Sequence, residues 1–221
     1  MQERIYTIPV NDVFEPKEGC PLCRLRDLLE ERCLEYIMGA AMMEPDIRVE
    51  TNRLGFCKDH LEAMRERKNR LSLALMLQTH LEEVHEKNFG KKKLLGKKSE
   101  KKEPTCYVCQ KIDSVIDTMV GNILKMYASD PEFRTLFETQ EVICLPHYEL
   151  LSAQTGKLPK KLRAPYQETL DRLTGEYLAA LKEDVRFFTT RFDYRFGGKD
   201  ADWGTSKDSI ERAIWFLTSR K

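Results

Sequence analysis

Two short cysteine motifs, Cys20-Pro21-Leu22-Cys23 and Cys57-Lys58-Asp59-His60, recur downstream as Cys106-Tyr107-Val108-Cys109 and Cys144-Leu145-Pro146-His147. The pairs within a copy are separated by 33 and 34 residues, and the copies lie 86 to 87 residues apart. Thiolate sulfur and neutral imidazole are the donors a borderline-soft divalent ion takes, at about 2.0 to 2.3 Å and four tetrahedral corners. Each copy supplies three Cys and one His, so one ion per copy is expected. Cys20, Cys23, Cys57 and His60 form the first expected site, and Cys106, Cys109, Cys144 and His147 the second. Zinc is the expected metal, with two ions in a structural role, because four protein ligands leave no open position for catalysis. An iron–sulfur cluster is the chemical alternative, since three Cys and a His also hold one. A redox switch, in which exposed zinc-held thiolates are oxidised and release the metal, is the functional alternative.

The elements that must position these ligands read as helices. Leu22, Leu25, Leu29, Cys33, Tyr36 and Ile37 recur at three- and four-residue steps, with Pro21 at a compatible first position and Gly39 and Pro45 as bounds. A short segment then leads to Gly55-Phe56. A Cys-x-x-His pair on a first helical turn places both side chains on one face. Beyond His60, the apolar residues Leu61 to Val84 suggest one broken or two consecutive helices. The second half repeats the pattern from Val108 to Tyr127, and Pro131-Glu132-Phe133-Arg134 matches Pro45-Asp46-Ile47-Arg48 at the same 86-residue offset. Helices are expected over about Tyr148 to Ala153 and Pro165 to Phe192. A final helix with an Ile210, Ala213, Ile214 and Leu217 stripe would close the second core, with Thr205 and Asp208 at capping-box spacing.

The expected fold class is all-α: two tandem related helical units, each clamped by a Cys3His site, with a short extended N-terminal arm containing the β-prone run Ile5 to Val10. The boundaries are 1–90 for the first unit, 91–105 for a basic flexible linker, and 106–221 for the second unit with its C-terminal helix. Seven Lys against two Glu make Lys91 to Pro104 a basic stripe in a chain with 37 basic and 36 acidic residues. With few apolar residues it reads as a solvated linker. Nucleic-acid contact through Lys91 to Lys102 is the competing reading.

The repeat also sorts the other candidates. Cys33 aligns with Met119 and reads as a small buried hydrophobe, while His80 and His85 have no histidine counterparts and read as helix-surface or interface residues. Asp59 is a candidate partner for a ligand, but its counterpart is Pro146. The aromatic and basic run from Arg186 to Phe196 reads as a helix end whose aromatics pack, rather than as a single-strand-binding surface. No nucleophile elbow, phosphate-binding loop or dinucleotide fingerprint is found. There is neither a basic leader with an apolar run nor an 18-residue apolar stretch. A reducing, cytoplasmic setting without membrane contact is therefore expected.

Ile5 to Asp12, the Cys-Pro-Leu-Cys turn, Gly55 to His60, the second Cys/His set, Phe192 to Arg195 and Trp203 to Asp208 together resemble a family of small bacterial proteins of unknown function with two such sets. The resemblance runs the whole chain and implies a bacterial cytoplasmic protein, but it brings no activity, substrate or catalytic residue. The functional expectation is a non-enzymatic scaffold for a protein partner.

Overall fold

A computed structural model describes residues 10–90, 105–192 and 202–219. Among them there are helices and no strands, so the all-α expectation holds. The helices are α1 (Val10–Phe14), α2 (Pro21–Met38), α3 (Pro45–Leu54), α4 (Lys58–Glu66) and α5 (Arg70–Phe89). They continue as α6 (Tyr107–Ser129), α7 (Pro131–Glu138), α8 (Leu145–Ala153), α9 (Lys160–Thr190) and α10 (Ser209–Thr218). None is long and apolar enough to cross a membrane. Lys91 to Lys102, and Ile5 to Pro9 of the proposed arm, lie outside the described residues.

The chain forms two compact units, divided differently from the expected 1–90 and 106–221. One takes Arg26–Asp117; the other combines Ile8–Leu25 with Thr118–Lys221. The divisions fall inside α2 and α6, the two helices that begin with the Cys-x-x-Cys turns. Uninterrupted helical periodicity in both stretches hides such a boundary from the sequence.

The first unit packs α3 and α4 against α5. Its core includes Leu29, Cys33 and Ile37 of α2, Ile47 of α3, Met64 of α4, Met76 of α5, and Val108 and Ile112 of α6. Cys33 is fully buried, as its alignment with Met119 implied. The expected short segment before Gly55 is instead helix α3: Pro45 occupies an initial position that needs no N–H donor, and Ile47, Thr51 and Leu54 make a buried face at helical spacing. Arg48 fixes this helix on α5 by donating to the Leu75 carbonyl (2.6 Å) and Thr79 Oγ1 (2.5 Å). Two helices, α4 and α5, follow His60, with Asn69 capping the second through its side chain.

The second unit has an aromatic core. Phe14 contacts Phe133 and Phe137 at centroid distances of 5.2 and 5.7 Å, and Tyr166 contacts Tyr127 and Phe137 at 4.9 and 5.4 Å. Phe14 belongs to α1, so the described end of the arm is helical rather than extended. Burial of Val10, Val13 and Phe14 against α7 and its neighbours accounts for that turn of helix. Asp130 caps α7 by accepting from Glu132 N–H and Phe133 N–H. Arg134 donates to the Tyr127 and Ala128 carbonyls, as Arg48 donates to the Met42 carbonyl six residues before it.

Helix α9 starts at Lys160, five residues before the expected Pro165. Arg163 holds this additional turn by donating to the Leu158 and Gly156 carbonyls. Helix α8 likewise starts at Leu145 rather than Tyr148. At the C-terminal end the expected core stripe faces outward: Ile210, Ile214 and Leu217 are 45%, 54% and 56% exposed. Phe216 is buried instead, stacked on Tyr177 at 5.5 Å. Thr205 donates to Asp184 rather than forming a capping box with Asp208. Phe188 packs on Phe192 and Trp203, and Arg186 pairs with Glu183, but Phe187 and Phe192 are themselves exposed, so this helix end follows the packing expectation only in part.

Candidate metal centres

The eight expected ligands come together in two groups of four, but the partners are exchanged. Cys20, Cys23, Cys144 and His147 form one group, and Cys57, His60, Cys106 and Cys109 the other. The expectation that Cys20 and Cys23 join Cys57 and His60 is thus corrected. Helix length supplies the reason. Helix α2 has 18 residues and α3 has 10, or about 27 Å outward against 15 Å. An excursion of that kind does not close on its own start. The second copy has the same imbalance, with 23 residues in α6 and 8 in α7.

Backbone contacts bring the exchanged partners together. In the first unit, Thr105 Oγ1 donates to the Leu54 carbonyl (2.7 Å) and Tyr107 N–H to the Gly55 carbonyl (2.9 Å), joining the approaches to Cys106 and Cys57. In the second, Gly19 N–H donates to Glu141 Oε2 (2.6 Å), and Arg24 reaches the Val13 carbonyl and Gln140 Oε1. These bonds join the approaches to Cys20 and Cys144.

Gly55 has φ +66° and ψ −160°, a region that side chains disfavour, and a Cβ there would lie 2.9 Å from the His80 ring. His80 is held in place by donating from Nδ1 to the Asn52 carbonyl at 2.9 Å, a packing role consistent with its reading as a non-ligand. Gly55→Ala is expected to destabilise the first unit by about 2–3 kcal/mol. Thermal unfolding of the variant beside the native protein checks this.

Both histidines present Nδ1 to the sulfurs. His60 Nδ1 lies 3.0, 3.3 and 3.5 Å from the sulfurs of Cys57, Cys106 and Cys109. His147 Nδ1 lies 3.5, 3.5 and 3.1 Å from those of Cys20, Cys23 and Cys144. A tetrahedron with bonds of about 2.3 Å to sulfur and 2.0 Å to nitrogen has sulfur–nitrogen edges of about 3.5 Å. The two donor sets therefore fit single ions. All four ligand pairs sit at helix starts, where the backbone dipole favours the negative charge of their thiolates.

Crowded ligand groups compete for protons, so some thiols are pushed up and others down. Burial, with Cys106 and Cys57 alongside, pushes the Cys109 thiol up to about 12. The Cys20 contact, with burial, takes Cys144 up to about 12. Burial also works against ionisation of Cys106, but its hydrogen bond with His60 brings it down to about 6. His60 is pushed up to about 10: burial disfavours the imidazolium, and contacts with Cys106 and Glu30 outweigh it. A divalent cation resolves this conflict by taking the place of the protons.

Glu30 was missed from the sequence. Its Oε1 lies 3.3 Å from His60 Nε2, so it accepts from the imidazole nitrogen that faces away from the sulfurs. Only the position of α4 beside α2 identifies it, because no spacing links residues 30 and 60.

Helical units with paired Cys3His groups define the class: an all-α protein with two candidate metal centres. The chain belongs to DUF6062, a family of unknown function whose model matches residues 1–221. No curated protein and no solved structure matches it.

Proposed function

We propose that the protein is a zinc-stabilised helical scaffold that binds a protein partner in a reducing, cytoplasmic compartment. The observation carrying this reading is the closure of each donor set: four ligand atoms within 4.8 Å of one another, three sulfurs and one nitrogen. Such a set leaves a single zinc no position for substrate and favours a structural role. An iron–sulfur cluster inserts irons and sulfides between its protein ligands and needs them farther apart, so the compact sets support zinc over the cluster. None of the seven cysteines is paired in a disulfide, in keeping with a reducing compartment. The exposed Ile210, Ile214 and Leu217 stripe on α10 supports a partner surface.

Elemental analysis of protein purified without added metal tests the reading. Two zinc per chain are expected; zinc-free or iron-containing protein contradicts it. For the scaffold role, Ile214→Glu is expected to keep both zinc ions and the helical signal while losing a partner that co-purifies with the native chain. Retention of that partner contradicts the assignment of the surface.

Two further outcomes follow from the groups around the ligands. Glu30→Ala removes the acceptor that orients His60 and is expected to weaken zinc binding at that site about 10- to 100-fold, measured by chelator competition. Apparent affinity at the same site is expected to rise with pH across the neutral range. His60 and Cys109, raised to about 10 and about 12, hold protons there that zinc must displace. Competition titrations at stepped pH check the sign.

A further inference from the structure

The two centres share a ligand set but not an environment. Cys20, Cys23, Cys144 and His147 are all buried, whereas Cys57 and Cys109 are partly open to solvent beside buried His60 and Cys106. The charged neighbours differ as well. Beside the buried centre, the Arg24 guanidinium donates to the Gly19 and Val13 carbonyls, and the Glu141 carboxylate accepts from Gly19 N–H. Beside the open centre, the Glu30 carboxylate meets His60, and the nearby Lys58 and Lys111 are paired with Glu62 and Glu50. Negative charge raises the electron density of zinc-held sulfur, and solvent access admits a reagent.

Resting on the zinc reading above, we propose that Cys57 and Cys109 form a modification site for small hydroperoxides, while the buried centre stays intact. The thiolate of Cys109 or Cys57 attacks one peroxide oxygen and breaks the O–O bond, forming a sulfenic acid and releasing hydroxide. The other thiolate attacks that sulfur, forms the S–S bond and releases a second hydroxide. The two sulfurs lose two electrons and the peroxide gains two; zinc keeps its oxidation state and leaves once two of its four ligands are withdrawn. Both sulfurs belong to one group whose ligand atoms lie within 4.8 Å, so the disulfide needs only local closure.

The test uses the full native chain after its two zinc ions have been counted. Hydrogen peroxide is added with a chromogenic chelator, and samples are digested for disulfide mapping. One zinc is expected to leave at least about 10-fold faster than the other, with a Cys57–Cys109 disulfide appearing at the same rate. Release of both ions at one rate, or a first disulfide involving Cys20, Cys23 or Cys144, overturns the proposal while leaving the zinc reading intact. A chain that lacks two zinc ions at the start overturns the zinc reading and this proposal with it.

Discussion

Chelating both ions from the protein is expected to abolish its cooperative thermal transition and remove more than half of its helical signal. Helices α3, α4, α7 and α8 have 10, 9, 8 and 9 residues. Isolated helices shorter than about 12–15 residues are marginal in water, so these depend on what they are docked against. The ligand sets join positions far apart in the chain: Cys23 and Cys144 are 121 residues apart, and His60 and Cys106 are 46 apart. Closing loops of that size is entropically costly without a cross-link. Structural zinc contributes about 10–16 kcal/mol per site in small domains, against a typical net stability of 5–15 kcal/mol for a whole domain. Removing it therefore reverses the sign of folding rather than trimming it. The longer α5 and α9 retain part of the circular dichroism signal; a chelated protein that melts within a few degrees of the native one contradicts the expectation.

Ligand substitutions are expected to be strongly non-additive within a group and additive between groups. Cys20→Ala alone disables its centre, so adding Cys144→Ala costs little more. The coupling between these positions is expected to reach at least about 3 kcal/mol, the upper range for residues in contact. Cys20→Ala with Cys57→Ala removes both centres, and the two losses should add. Metal content follows: one zinc remains in the first double variant and none in the second. Pairing within each sequence copy would reverse these outcomes.

The list of candidate ligands is legible because it depends on residue type and local spacing alone. The pairing is not, because both ways of joining the motifs yield two complete Cys3His sets. What decides between them is path length, which the sequence holds indirectly in the unequal lengths of α2 and α3. Helix α3 is hidden for a related reason, because Pro45 reads as the end of the helix before it when it starts a new one, and the matching Pro131 starts α7 in the same way. Yet Phe133 and Phe137 already stood at helical spacing. The α10 stripe shows the limit of periodicity. Ile210, Ile214 and Leu217 do share a face, but burial went to Phe216 because Tyr177 offers it a ring to stack on. Glu30 became visible only once α4 was placed beside α2.

The exchanged pairing is tested most directly by replacing both ions with cadmium-113 and recording proton–cadmium correlations through the metal–sulfur bonds. One cadmium resonance is expected to couple to the β-protons of Cys20, Cys23 and Cys144, and the other to those of Cys57, Cys106 and Cys109. A cadmium coupled to Cys20, Cys23 and Cys57 together would contradict the account.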